Sequence, residues 1–125
     1  MARAAEAAAM DSAGITQVEA SAGYGRREVH MAASNGFSGG YARNSHSVSA
    51  VAFTGSGTGM ERDYAGEGRI FAADMPSAAG IGALAAERAL ARAGAVQPKT
   101  GTYPVLFDER VASSLIGHLT SAING

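Results

Sequence analysis

The chain has 125 residues, no cysteine, and 10 Lys+Arg against 11 Asp+Glu, for a formal net charge of −1. That balance gives no electrostatic footing for nucleic acid, the lack of cysteine excludes disulfides and thiolate metal sites, and no run of about 18 apolar residues offers a membrane-spanning helix. The hydrophobic fraction, 46%, suits one globular domain with a modest core. Much of that fraction is alanine and tryptophan is absent, so the core is expected to rest on small side chains, with a few Phe, Tyr, Leu and Met.

Residues 2–12 read as a helix, because Ala, Arg, Glu and Met are strong helix formers. The segment lacks the continuous apolar centre of a secretory signal, so the cytoplasm is the expected compartment. Gly14 stands where a helix stop belongs. From Ile15 the period changes to two: Val18, Ala20 and Ala22 alternate with Gln17, Glu19 and Ser21. "RREVHMAA" continues the alternation, and Asn35-Gly36 is a strong hairpin signal. "FSGGYARN" is expected to return antiparallel, and "HSVSAVAFT" to form a further strand. "GSGTG" breaks the pattern, and "MERDYAGEGRIF" gives one or two short strands. The first half therefore predicts a meander of four to six antiparallel strands.

At Pro76 the period returns to 3.6. "PSAAGIGALAAERALARAG" predicts a helix with Pro in its first turn and Gly94 at its end. Ile81, Leu84, Ala85, Ala89 and Ala93 form its apolar stripe. Gly80 and Gly82 each weaken it by about 1 kcal/mol relative to Ala, which implies close packing of the helix on the sheet. "TYPVLF" reads as a last strand, and Asp108 as the N-cap of a last helix. The fold class is α+β, an antiparallel sheet with helices packed on it. Residues 1–125 are expected to be a single domain, with an N-terminal helix and meander in 1–74 and a helix-strand-helix in 75–125.

Few residues invite chemistry. "GSGTGM" is glycine-rich, but no Lys-Ser/Thr follows it, so it reads as a hairpin loop rather than a phosphate cradle. Arg26-Arg27 and Glu61-Arg62-Asp63 read as solvated strand faces. His30 and His46 have no ligand partner nearby in sequence. His46, Ser47 and Ser49 are close along the chain, yet no orienting acid completes a nucleophile-base set. His118 lies in the last helix. A helical zinc site needs a second ligand one turn away, but Ser114 and Ala122 stand four residues off, and Ser113 and Ile123 five. It borders the stripe Val111-Leu115-Leu119-Ala122, so it is expected to be a half-buried structural histidine.

The ordered series "GITQVEASAGYGRREVHMAASNGFSGGYARNSHSVSAVAF", then "IGALAAERALARAG", then "TGTYPVLFDERVASSLIGHLTSAING" resembles the central region of the TldD/PmbA family across about residues 5–125. The resemblance implies a segment of a longer protein with domains on both sides. TldD-type members carry a His-Glu-x-x-x-His helix after a "PVV" strand, whereas PmbA-type (TldE-type) members lack it. Here Gly117-His118 falls where the His-Glu pair is expected, and no second histidine follows. The chain is thus similar to the PmbA arm. The resemblance implies no catalytic, cofactor-binding or metal residue in this chain, with His118 near the family's metal-helix position, and zinc or a similar metal only in a TldD-type partner. It implies pairing with that subunit or self-association, and a peptide substrate in the full assembly. The alternative is a regulatory module of the gyrase-modulator type. The thin alanine, serine and glycine core implies marginal stability alone, or self-association through an uncovered sheet face or edge.

Overall fold

The computed structural model describes residues 1–124. The chain folds as two compact units, 1–95 and 96–125. In the first, helix α1 (Ala2–Met10) leads into strand β1 (Ile15–Ala32), β2 (Ser38–Thr54) and β3 (Glu61–Arg69), and helix α2 (Ala78–Ala91) follows. The sheet is antiparallel in the order β1-β2-β3, with helices on one face, so the α+β class is as the sequence implies. No helix among the described residues is long and apolar enough to cross a membrane.

The described residues form three strands rather than the four to six expected. "TQVEASA" and "RREVHMAA" are one strand of 18 residues, and "FSGGYARN" and "HSVSAVAFT" are one of 17. Gly23 and Gly25, between the first two segments, do not interrupt the strand. They sit opposite Ser47 and Ser45 in a continuous ladder, where a Cβ on either would crowd the serine hydroxyl at 2.9 Å.

The hairpin forms at Asn35-Gly36, with a different turn geometry from the one its dipeptide suggests. Only Gly36 has positive φ, at +88°, and no non-glycine residue does. The Gly36 N–H donates to the Ala33 carbonyl at 3.0 Å. Asn35 Oδ1 accepts from the Phe37 N–H at 3.1 Å, an Asx turn that holds the loop. Gly36→Ala should cost about 1 kcal/mol: nothing lies within 4 Å of an added Cβ, so only the left-handed backbone opposes it. Chemical denaturation would show this as a lower midpoint at unchanged slope.

Alternation buries one face of the sheet. Val18 and Ala20 stand opposite Ala52 and Ala50, and Ala65 flanks Ala50 from β3, while Ala22, opposite Val48, is already exposed. Ala5 and Ala9 of α1 and Ile81, Ala85, Ala86 and Ala89 of α2 close over them. Eight of the eleven residues in this core are alanine, and Val48 is the largest fully buried side chain. The aromatics do not build the core as expected: Phe53 alone among them is buried, while Tyr24, Tyr41, Tyr64, Phe37 and Phe71 are exposed.

Helix α2 starts two residues after Pro76, which lies just before the N-cap rather than in the first turn. Ser77 is its N-cap, with its hydroxyl accepting from the Gly80 N–H at 3.0 Å. Ile81, Ala85 and Ala89 face the core and Leu84 packs against it, but Ala93 lies beyond the helix and is exposed. The close approach at Gly82 is to α1, not to the sheet: a Cβ there would fall 2.0 Å from the Ala5 carbonyl oxygen. Glu61 and Asp63 are more than a solvated face, because Arg92 reaches both, at 3.4 and 4.0 Å, from the end of α2. The "GSGTG" segment is the β2–β3 connection, a short 3-10 turn at Gly57–Gly59 with Gly55 and Gly57 at positive φ.

The second unit contains one helix, α3 (Glu109–Ile123). Asp108 caps it, with Oδ1 accepting from the Arg110 N–H at 2.9 Å. "TYPVLF" forms no strand. No strand pairs with it among the described residues, and Pro104 lacks a donor to offer one. No residue of α3 is buried.

Candidate functional site

His118 sits on the exposed surface of α3. It is not the half-buried residue expected, because the stripe it borders (Val111, Leu115, Leu119) is itself exposed. Within the helix its neighbours at one turn are Ser114 and Ala122. The Ser114 hydroxyl is turned to the Val111 carbonyl, at 2.6 Å. Among the described residues no group of three or more His, Cys, Asp or Glu is placed to hold a metal ion. A structural zinc needs four such donors and a catalytic one three, so the residues present do not fit a resident zinc.

Alternation separates His46, Ser47 and Ser49. His46 lies on the helix-facing side of β2, where its ring meets Tyr24 at a centroid distance of 5.1 Å. Ser47 and Ser49 lie on the other side, and Ser49 shares a hydrogen bond with Ser21 at 2.8 Å. The serine–histidine contact that does form is His30 Nε2 to Ser38 Oγ, at 3.0 Å. It is set by register: Ala32 opposes Ser38 and His30 opposes Gly40. Counting outward from the Asn35-Gly36 turn would have found it. Both residues are exposed and no acid orients the imidazole, so the pair lacks the third member of a catalytic set.

Past Ala22 and Val48 the β1–β2 ribbon leaves the helices and extends as an exposed arm, residues 23–46. At about 3.4 Å per residue it projects roughly 30 Å. Its two faces differ. On the helix-facing side Arg26 pairs with Glu28. On the other side Arg27 stands directly opposite Arg43, in an open groove with Gly25, Tyr41 and Ser45. Val29, Met31, Phe37 and Tyr41 continue that face toward the tip as an apolar patch.

Three comparisons agree on kinship. The family model described as PmbA/TldA metallopeptidase central domain matches residues 1–93. The metalloprotease PmbA of Escherichia coli O157:H7 is 36% identical over 92 residues, which is 74% of this chain and 20% of that protein. A solved structure from Bacteroides thetaiotaomicron VPI-5482, of a protein named as a modulator of DNA gyrase, superposes with a TM-score of 0.81 at 29% identity. That match covers 96% of this chain and 28% of the other. The chain thus spans about a fifth to a quarter of the length of these relatives. With the family model covering the whole helix-capped sheet, the chain belongs to the PmbA/TldA metallopeptidase family, whose central domain its residues 1–93 form.

Proposed function

We propose that this chain is the central segment of a PmbA-type subunit that supplies framework and peptide-facing surface, while a TldD-type metallopeptidase subunit supplies the metal and cleaves the peptide. The donor poverty of α3 carries this reading. One histidine, flanked at helical spacing by serine and alanine, cannot complete the three-ligand set of a catalytic zinc. The metalloprotease name of the Escherichia coli relative supports a role in proteolysis, and the proposed compartment is the cytoplasm. The name of the Bacteroides structure favours a second reading, a regulatory module acting on gyrase. A change in gyrase supercoiling on adding the subunit, with no TldD-type partner present, would select it.

Elemental analysis after dialysis tests the metal half of the proposal. The purified chain should hold well under one zinc per molecule. His118→Ala should leave both metal content and stability unchanged, the latter within about 0.5 kcal/mol, as for other exposed substitutions. One tightly held zinc per chain, lost on His118→Ala, would contradict it.

A further inference from the structure

Register fixes an unfavourable arrangement inside the arm. Arg27 and Arg43 stand directly opposite each other on the face away from the helices, and like charges so placed are destabilising. Both are exposed, and neither makes an ion pair or a side-chain hydrogen bond among the described residues. By alternation, Glu19 is the one acid on this face of the three strands. It lies eight residues from Arg27, roughly 27 Å along the strand, where salt screens it at a Debye length of about 8–10 Å. Arg26, on the other face, is already paired with Glu28. The opposition is internal to one hairpin, so it persists in any longer protein that keeps this ladder. Two guanidinium groups held together in this way need an anion between them.

The surroundings select the anion. Toward the sheet, the Ser45 hydroxyl stands 2.9 Å from where a Cβ on Gly25 would lie, which keeps the floor beside Arg27 and Arg43 low and polar. Toward the tip, Val29 and Tyr41 face each other in the next row. Beyond them the Phe37 ring lies 3.1 Å from where a Cβ on Gly39 would be. Phe37, Val29, Met31 and Tyr41 line a hollow of about 440 Å³. Tyr41 borders both the arginine groove and this hollow. A phosphodiester chain carries charge on every unit and gains nothing from an apolar hollow, whereas a carboxylate carried on an apolar peptide uses both. The spacing agrees. Rows on one face of a strand repeat about every 7 Å, and so do alternate side chains of an extended peptide. An acid seated between the guanidinium groups therefore sets the side chain two residues away over Val29 and Tyr41.

We propose that Arg27 and Arg43 form a carboxylate seat, which takes an extended peptide segment bearing an acidic side chain with an apolar one two residues from it. The guanidinium forks donate to the carboxylate oxygens, and the apolar neighbour covers the Val29–Tyr41 row. This gives the peptide-facing surface proposed above a sequence preference and rests on that reading. Binding is read with no TldD-type subunit present, so its failure is distinct from a failure to support cleavage.

Amide chemical-shift titration of the 125-residue chain with acetyl-Leu-Ala-Glu-Ala-Leu-amide should move residues 25–31 and 39–45. The leucines on both sides of the acid serve either chain direction. An open seat of this kind should give a Kd on the order of 0.1–1 mM. Replacing the probe's Glu by Gln, or making Arg27→Gln or Arg43→Gln, should each weaken binding about 10-fold or more, because charge-assisted hydrogen bonds are lost. Arg26→Gln, on the opposite face, should change it by less than about twofold. Replacing both leucines of the probe by alanine should weaken it about threefold or more. Arg27→Gln also removes the like-charge opposition, so it should melt no lower than wild type, which separates lost binding from lost folding. The full-length protein that contains this segment should show the same dependence on both arginines. Equal binding of the Gln probe would overturn the proposal. So would an Arg26→Gln effect as large as that of Arg27→Gln, inorganic phosphate binding as tightly as the peptide, or full-length binding indifferent to both arginines.

Discussion

Replacing Gly82 by alanine should destabilise the domain by at least about 3 kcal/mol, although alanine is the better helix former. The two effects have opposite signs and their sizes decide between them. In an exposed helix interior the exchange gains about 1 kcal/mol. At Gly82 the new Cβ would lie 2.0 Å from the Ala5 carbonyl oxygen and 2.7 Å from its carbon. Those atoms are backbone of α1, so no rotamer change relieves the overlap, and α1 must move off α2. That movement opens the seal that Ala5 and Ala9 make over the core. Overpacking typically costs about 1–3 kcal/mol and more where the neighbour cannot yield. For a unit of this size each kcal/mol lowers Tm by about 4–8 °C, so a drop of more than about 10 °C is expected. Gly117→Ala is the internal control. Nothing lies within 4 Å of a Cβ there, so the same exchange in α3 should raise helix content without loss of stability. A Gly82→Ala protein that melts within about 2 °C of wild type would show that the α1–α2 contact is not tight.

Ala50→Leu should be comparably damaging, by about 3 kcal/mol. Ala50 is fully buried in the central strand, with Ala20 on one side and Ala65 on the other, beneath a layer of helix alanines. A leucine adds three carbons to a core in which eight of eleven residues are alanine. Close-packed interiors do not absorb such volume. The same leucine at Ser21, on the open face of β1, should cost less than about 1 kcal/mol. Thermal melts of the pair compare the buried and open faces of one sheet. Equal effects at the two positions would contradict the alanine-layer packing described above.

Much of this architecture was legible in the sequence. The switch of period at Pro76 marked the boundary between sheet and α2, and Asn35-Gly36 marked the hairpin between β1 and β2. What was not legible depended on neighbours. Gly23 and Gly25 do not interrupt β1, because the ladder runs through them with serines opposite, and β2 likewise runs unbroken from Ser38 to Thr54, so four expected segments became two strands. Val105-Leu106-Phe107 has strand-like apolarity, yet a strand exists only beside another strand, and none pairs with it among the described residues. Gly82 announced a close approach, expected against the sheet and found against α1. The candidate site shows the same limit. The missing second ligand beside His118 is a local fact and could be read directly, whereas its exposure depends on what surrounds α3. The His30–Ser38 contact and the Arg27–Arg43 opposition exist only in the register, which the turn sets and composition does not reveal.

The most direct test of the functional account is a peptide-cleavage assay on the full-length protein that contains this segment, with and without a TldD-type subunit. The account predicts no cleavage by this subunit alone, cleavage when the partner is added, and rates unchanged by His118→Ala. Cleavage by this subunit alone, abolished by His118→Ala, would contradict it.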